Sequence, residues 1–326
     1  TACGLLVALA YPDRIARRRQ GEPGRYRLSS GRGVRLEESD PLAGQDWLAV
    51  AQLDAGRPGE EGRIFLAAPI DPAQLEIHLG GLVQEEEQVA WEPRQQAVVA
   101  CRQRLLGAHI LEQKSLSDPD PQRLAAAMAE GIRRLGLEAL PWSEPLRQWQ
   151  ARLLSLSQWL PEEDWPDVSD TALLAQLEDW LGPFLNGITR REHLARLDLA
   201  TALQTRLDWP RRNRLEILAP THLTVPSGSR LRLEYRPGQA PVLAVKLQEM
   251  FGLGETPRIV QGRVAVVLQL LSPARRPIQV TQDLRGFWER TYPEVKKELK
   301  GRYPKHPWPE DPWNAPPTAR TRRQQG

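Results

Sequence analysis

Arg263-Val-Ala-Val-Val-Leu-Gln-Leu-Leu-Ser-Pro-Ala-Arg-Arg-Pro-Ile-Gln-Val-Thr-Gln-Asp-Leu284 leads into Phe287-Trp-Glu-Arg-Thr-Tyr-Pro-Glu-Val-Lys-Lys-Glu-Leu-Lys-Gly-Arg-Tyr-Pro-Lys-His-Pro-Trp-Pro-Glu-Asp-Pro312. The first part contains a β-strand, Val264 to Leu270. The second begins as a basic helix, Asp283 to Lys300, and ends as a tail rich in proline and aromatic residues. Leu284, Phe287, Trp288, Thr291, Val295 and Leu299 recur at helical spacing and predict one apolar stripe. Thr281 can cap this helix, Asp283 suits the positive end of its dipole, and Pro293 can kink or divide it. Lys296, Lys297 and Lys300 fall off the stripe, where their charges would meet solvent or phosphates. Arg302, Tyr303, Lys305, His306 and Trp308 then interleave cations with rings, a mix that suits single-stranded nucleic acid. A plainer reading has the rings packing the tail and the lysines forming a solvated face, and pattern alone favours it.

Working outward, residues 211–310 read as a mixed domain. Leu215-Glu-Ile-Leu218 and Arg230-Leu-Arg-Leu-Glu-Tyr235 predict strands, and Val242 to Phe251 a helix. Residues 117–210 switch to helical periodicity. Pro121 starts a first helix, Leu146 to Leu160 mark a second and Leu173 to Leu181 a third. The capping box Thr189-Arg-Arg-Glu192 opens a fourth that runs to Leu207. Residues 21–116 are strand-like. Arg25 to Leu28 and Val34 to Glu37 flank a Gly-rich hairpin, and Trp47 to Leu53, Arg63 to Ala68, Gln88 to Trp91, Ala97 to Arg102 and His109 to Glu112 follow. Short strands at regular spacing predict an antiparallel barrel, and the OB type is preferred. Residues 1–20 read as the end of a helix broken at Pro12, with Asp13 capping a second, short one. Residues 311–326 read as disordered. The expected fold class is α+β and multidomain: an OB-like β-barrel, a small helical bundle and a C-terminal mixed α/β domain.

The chain has 326 residues and a formal charge of +3. That small sum conceals an asymmetry: residues 211–326 carry 21 Lys/Arg against 10 Asp/Glu, and residues 1–210 carry 23 against 31. A basic C-terminal part calls for an anionic partner or serves solubility. Arg275 and Arg276, ahead of the last helix, join the basic candidates there. A second candidate patch is Arg17, Arg18 and Arg19 with Arg32 and Arg35 of the first hairpin, because OB barrels bind strands on a sheet face and its loops. No apolar run reaches the roughly 18–20 residues of a membrane span. Cys3 and Cys101 lie far apart and read as buried thiols of a reducing compartment. The start on Thr1, inside an apolar stretch, reads as a piece of a longer chain.

Catalytic signatures are missing from the sequence. No G-x-x-x-x-G-K-[ST] is present to cradle phosphates, and no Asp-Glu-Ala-His box to hold magnesium. Gly252-Leu-Gly-Glu-Thr-Pro257 follows a helical segment and reads as a turn. The five histidines stand apart, with neither H-E-x-x-H nor C-x-x-C, and Ser227-Gly-Ser229 lacks a nucleophile elbow.

Lys296-Lys-Glu-Leu-Lys-Gly-Arg-Tyr-Pro-Lys-His-Pro-Trp308 closely resembles the C-terminal domain of the HrpB family of bacterial DEAH-box RNA helicases. Leu5 to Arg19 is similar to the passage from the family's helical ratchet-like region to its OB-fold, and Tyr26 to Leu36 and Ile64 to Asp71 are similar to its barrel strands. The resemblance implies ATP-driven work on RNA by a parent protein that uses ATP and magnesium. It implies no cofactor and no catalytic residue in this chain. Single-stranded RNA and the parent's N-terminal motor domains are the implied partners, and the cytoplasm the implied location. A protein-docking scaffold without nucleic-acid contact, using Trp308, Trp313 and the proline-rich tail, is the alternative.

Overall fold

The computed structural model describes residues 2–54 and 60–319. The chain divides into two compact units, Thr1–Gly131 and Ile132–Gly326.

In the first unit, α1 (Ala2–Ala10) ends ahead of Pro12, and the backbone makes one 3-10 turn, Pro12–Arg14. The short second helix expected there is instead a strand, β1 (Ile15–Arg18), because Ile15 and Ala16 are both drawn into the core. Strands β2 (Arg25–Leu28), β3 (Gly33–Arg35), β4 (Trp47–Leu53) and β5 (Gly62–Pro69) complete a closed barrel in the order β1-β2-β3-β5-β4, with β4 pairing back on β1. Period-two alternation turns Ala16, Tyr26, Leu28, Val34, Leu48, Val50 and Ile64 inward as one cluster. The Tyr26 hydroxyl donates to the Leu42 and Gln45 carbonyls at 2.7 and 2.9 Å, so its burial leaves no orphaned donor.

Asp71 caps α2 (Pro72–Leu79) by accepting from the Ala73 amide at 2.9 Å. The later strands depart from expectation. β6 (Val83–Glu92), β7 (Ala97–Leu106) and β8 (His109–Ser115) do not extend the barrel but form a separate three-stranded antiparallel sheet. β6 and β7 pair along all ten residues of each and β8 takes the other edge of β7, so the middle strand has no edge left for the barrel. This sheet docks on the barrel through His109, whose Nε2 meets the Ile15 carbonyl at 2.8 Å, and through Leu106 beside Ile15. Cys101 is buried as expected, whereas Cys3 on α1 is exposed.

The helix α3 (Pro121–Leu135) opens on Pro121, as read from sequence, and carries the chain into the second unit. There follow α4 (Glu144–Trp159), α5 (Asp170–Ala175), α6 (Leu177–Trp180), α7 (Leu199–Gln204) and α8 (Trp209–Leu218). The helix expected from Thr189 to Leu207 is divided into a 3-10 stretch, Arg191–Arg196, and α7. Asp198 restarts it by accepting from the Thr201 amide at 3.0 Å, a cap inside the apolar pattern. Leu215–Leu218 is the end of helix α8, not a strand; Asp208 caps it from the Arg211 amide at 2.9 Å and Pro210 sits in its first turn.

Strands β9 (His222–Thr224), β10 (Arg230–Glu234), β11 (Val242–Lys246), β12 (Arg258–Ile259), β13 (Val264–Ala265), β14 (Val267–Leu271) and β15 (Pro277–Thr281) follow. Five of them form a mixed sheet, β15-β14-β11-β10-β9, in which β11 and β14 are parallel. The expected helix from Val242 to Phe251 is therefore a central strand followed by a 3-10 turn, Leu247–Met250. Leu243 and Val245 face the core while Ala244 is exposed, and so short a run of apolar residues is not separated from a buried helix by periodicity alone.

The last helix forms as expected, as α9 (Leu284–Gly286), a π-helical turn Phe287–Thr291 and α10 (Tyr292–Arg302), with Pro293 in the first turn of α10. Asp283 is its cap, holding the Gly286 amide at 2.8 Å, while the Thr281 hydroxyl accepts from the Asp283 amide. Phe251, Trp288 and Tyr292 stack edge-on and tilted at ring separations of 5.3 to 6.1 Å. The tail lies over them. Pro312 and Thr318 are buried, and the Thr318 amide donates to the Gln248 carbonyl at 3.0 Å. Residues 311–319 are thus packed rather than disordered; the rest of the expected disordered tail, 320–326, lies outside the described residues.

Candidate nucleic-acid interface

The C-terminal candidates do not form one surface. Lys296 turns toward the tail, pairs with Glu310, and leaves only 12% of its side chain exposed. That pairing holds the Glu310 carboxyl below the usual carboxylate range. Trp308 is buried, and its indole N–H donates to the Tyr303 carbonyl at 2.9 Å, so its ring is no platform for bases. Tyr303 is half-buried with its ring edge toward His306. For Lys296 and Trp308 the plainer reading holds, whereas Tyr303 also lines the groove of Arg276 and Arg302. Lys297 and Lys300 are exposed along one flank of α10; Arg302 occupies the other flank and shares a groove with Arg276 of the β14–β15 turn. Arg275, with φ +61°, and Lys305 are exposed as well. None of these six makes an ion pair among the described residues.

Part of the charge asymmetry is satisfied internally. Glu162, Glu163 and Asp164, just after α4, pair with Arg263, Arg214 and Arg211, and Glu144 pairs with Arg232. Acidic residues of the helical stretch and basic residues of the sheet domain are complements within one unit. These exposed pairs contribute little singly.

The barrel gathers its cations more tightly. Alternation along β1 separates the Arg17–Arg19 run. Arg17 projects outward from β1, donates to the Ile110 carbonyl at 2.7 Å and lies 5.2 Å from the Trp47 ring centre. Arg18, one residue on, pairs with Asp46 at 2.6 Å, and Arg19 pairs with Glu61 at 2.8 Å. Arg32 in the hairpin is exposed.

The densest array was only half legible. Arg25 of β2 stands directly opposite Arg35 of β3, and Arg35 directly beside Arg63 of β5. Their neighbours Tyr26, Val34 and Ile64 are buried, so all three guanidinium groups share the outer face. They line one open pocket of about 280 Å³ with Pro23, Leu36, Glu37 and Glu38. Arg25 is held by Glu22 and Glu61 at 3.7 and 3.9 Å, and Arg63 by Glu37. Arg35, between them, has no ion pair among the described residues. Like charges placed directly across a sheet are destabilising, so the row costs stability that a bound anion would return. Phe65 follows on the same face of β5, 54% exposed, with the Arg63 guanidinium 5.7 Å from its ring centre. Sequence reading passed over Arg25, Arg63 and Phe65. The alternation Arg63-Ile64-Phe65 places arginine and ring on one face, but the pairing of β3 with β5 across an intervening strand is a long-range fact.

The comparisons agree with this architecture. Residues 180–312 match the family model described as the ATP-dependent helicase C-terminal domain of HrpB type. The ATP-dependent RNA helicase HrpB of Escherichia coli K12 is 45% identical over 318 residues, which is 98% of this chain and 39% of that protein. A crystal structure of the E. coli DExH-box NTPase HrpB overlays with a TM-score of 0.63 at 45% identity, covering 98% of this chain and 39% of the other. A second crystal structure, of the E. coli DEAH/RHA helicase HrpB, gives 0.55 at 41% identity, with 94% and 38% covered. The chain thus spans about two fifths of the length of the relatives it matches. Residues 180–312 belong to the C-terminal domain family of HrpB-type ATP-dependent helicases, and the chain as a whole is similar to the C-terminal region of HrpB.

Proposed function

We propose that this chain is the accessory C-terminal region of an ATP-dependent RNA helicase, and that its barrel grips single-stranded RNA. The strand order β1-β2-β3-β5-β4 supports reading the barrel as OB-type. One observation carries the binding site: the row Arg25–Arg35–Arg63, whose central cation has no ion pair among the described residues, with Phe65 beside it. Cations spaced along neighbouring strands suit successive phosphates, and an exposed ring suits a stacked base. The parent's ATP and magnesium would be held by motor domains elsewhere in that protein, and its location would be the cytoplasm. Lys297, Lys300 and Arg302 would add a weaker, non-specific contact.

Anisotropy of a labelled single-stranded RNA at two salt concentrations tests this reading. Binding should weaken steeply as salt rises. The double variant Arg35→Glu with Arg63→Glu should lose roughly tenfold in affinity or more, as expected when charge-assisted contacts are removed. Salt-independent binding, absence of binding at low salt, or an undiminished double variant would refute it.

Protein docking is the second reading. Leu6 and Leu9 on α1 and Ile77 on α2 are 68, 44 and 69% exposed, and such side chains suit a protein cover. Leu6→Asp with Leu9→Asp should release a protein partner and leave RNA affinity intact.

A further inference from the structure

A pocket of about 300 Å³ opens in the second unit between α4 and the edge of the mixed sheet, far along the chain from the barrel arginines. Its walls combine rings with cations. Trp149 of α4, half-buried, supplies aromatic surface, and the buried Tyr235, which follows β10, backs the wall. Arg152, one turn beyond Trp149, is 4% exposed along its side chain. Its Nε donates to the Ala219 carbonyl at 2.6 Å, and its Nη2 to Glu216 at 2.8 Å and the Leu215 carbonyl at 3.4 Å. These bonds fix the guanidinium plane and leave Nη1 with no acceptor among the described residues. On the opposite wall His222 of β9 stands directly across the ladder from Arg232 of β10. The His222 Nδ1 meets the Thr221 hydroxyl at 3.0 Å, which leaves Nε2 for another partner. Arg232 reaches Glu144 at 3.3 Å, an exposed contact that yields readily to a stronger anion. Neither Glu144 nor Glu216 lines the pocket. The frame is rigid as well: the Gln148 side chain bonds both the amide and the carbonyl of Tyr235, at 2.8 and 3.3 Å, as a neighbouring strand would.

From this arrangement we infer that the pocket binds a nucleoside monophosphate, its base against Trp149 and its phosphate between Arg152, His222 and Arg232. Two guanidinium groups and the imidazole of His222 fit a dianionic phosphate better than a monocarboxylate, and the Trp149 wall fits a flat ring. The site is independent of the barrel.

Calorimetric titration of the full chain with adenosine monophosphate is the test, with adenosine and inorganic phosphate as separate arms. The monophosphate should bind saturably below about 1 mM. Each half of the ligand alone should bind at least about tenfold more weakly, since each forgoes the other's contacts. His222→Ala and Arg232→Glu, both exposed positions, should abolish the heat while melting as the parent does. Arg94→Glu, in the exposed turn between β6 and β7, should leave it unchanged. No saturable binding, equal affinity for phosphate alone, or full affinity in Arg232→Glu would overturn the proposal.

Discussion

Arg35 shows what a single position contributes when its neighbours carry its own charge. Flanked by Arg25 and Arg63 and with no ion pair among the described residues, it should be dispensable for folding and costly to lose for binding. Arg35→Glu should melt no lower than the parent, and its plot of log affinity against log salt should flatten by about one unit, which anisotropy across a salt series would read. Trp308 is the opposite case. Its ring is buried and its N–H satisfied, so Trp308→Ala should cost about 3–5 kcal/mol in chemical denaturation and leave RNA affinity per folded molecule unchanged. His109 supplies a pH signature. Burial drives its pKa below the ordinary histidine value, against the smaller opposing effect of its bond to the Ile15 carbonyl. The folded state therefore favours the neutral ring. The unfolded chain takes up the proton first, so the stability is fully present above about pH 6.5 and is lost as pH falls through the lowered folded value. The melting temperature should drop between pH 7 and pH 5.5, and His109→Gln, which can still donate to Ile15, should lessen that drop.

At the scale of elements, legibility followed local chemistry. The hairpin strands, β4, β5 and the basic C-terminal helix were readable because alternation, turn residues and helical spacing are local signals. Helix α8 carried a readable start in Asp208-Trp-Pro210 that was overlooked in favour of its apolar end. β11 was not separable from a helix by pattern, since its strand state comes from pairing with β14, more than twenty residues on. Which strands close the barrel was hidden for the same reason. Helix α3 shows how tertiary contact reverses a propensity. Gly131 sits inside it, where alanine ordinarily stabilises a helix, but a Cβ there would lie 2.4 Å from the Trp91 ring. Gly131→Ala should accordingly destabilise by about 1–3 kcal/mol, measured by chemical unfolding, instead of gaining up to about 1.

For the molecule as a whole, the candidate site was legible as a class and not as a place. Charge asymmetry pointed to the C-terminal part, yet part of it is spent on Glu144, Glu162, Glu163 and Asp164, and the concentrated cations lie on the barrel. The sequence holds no phosphate-cradling loop, so a coupled ATPase assay on this chain alone should stay at background, with or without RNA. The folded-back tail sets a limit on dissection. Tyr292 donates its hydroxyl proton to the Pro309 carbonyl at 3.0 Å, and Thr318 closes onto Gln248. Shortening the polypeptide to Arg302 would unroof a nest of rings and invite clumping. A soluble minimal piece must therefore reach past Thr318.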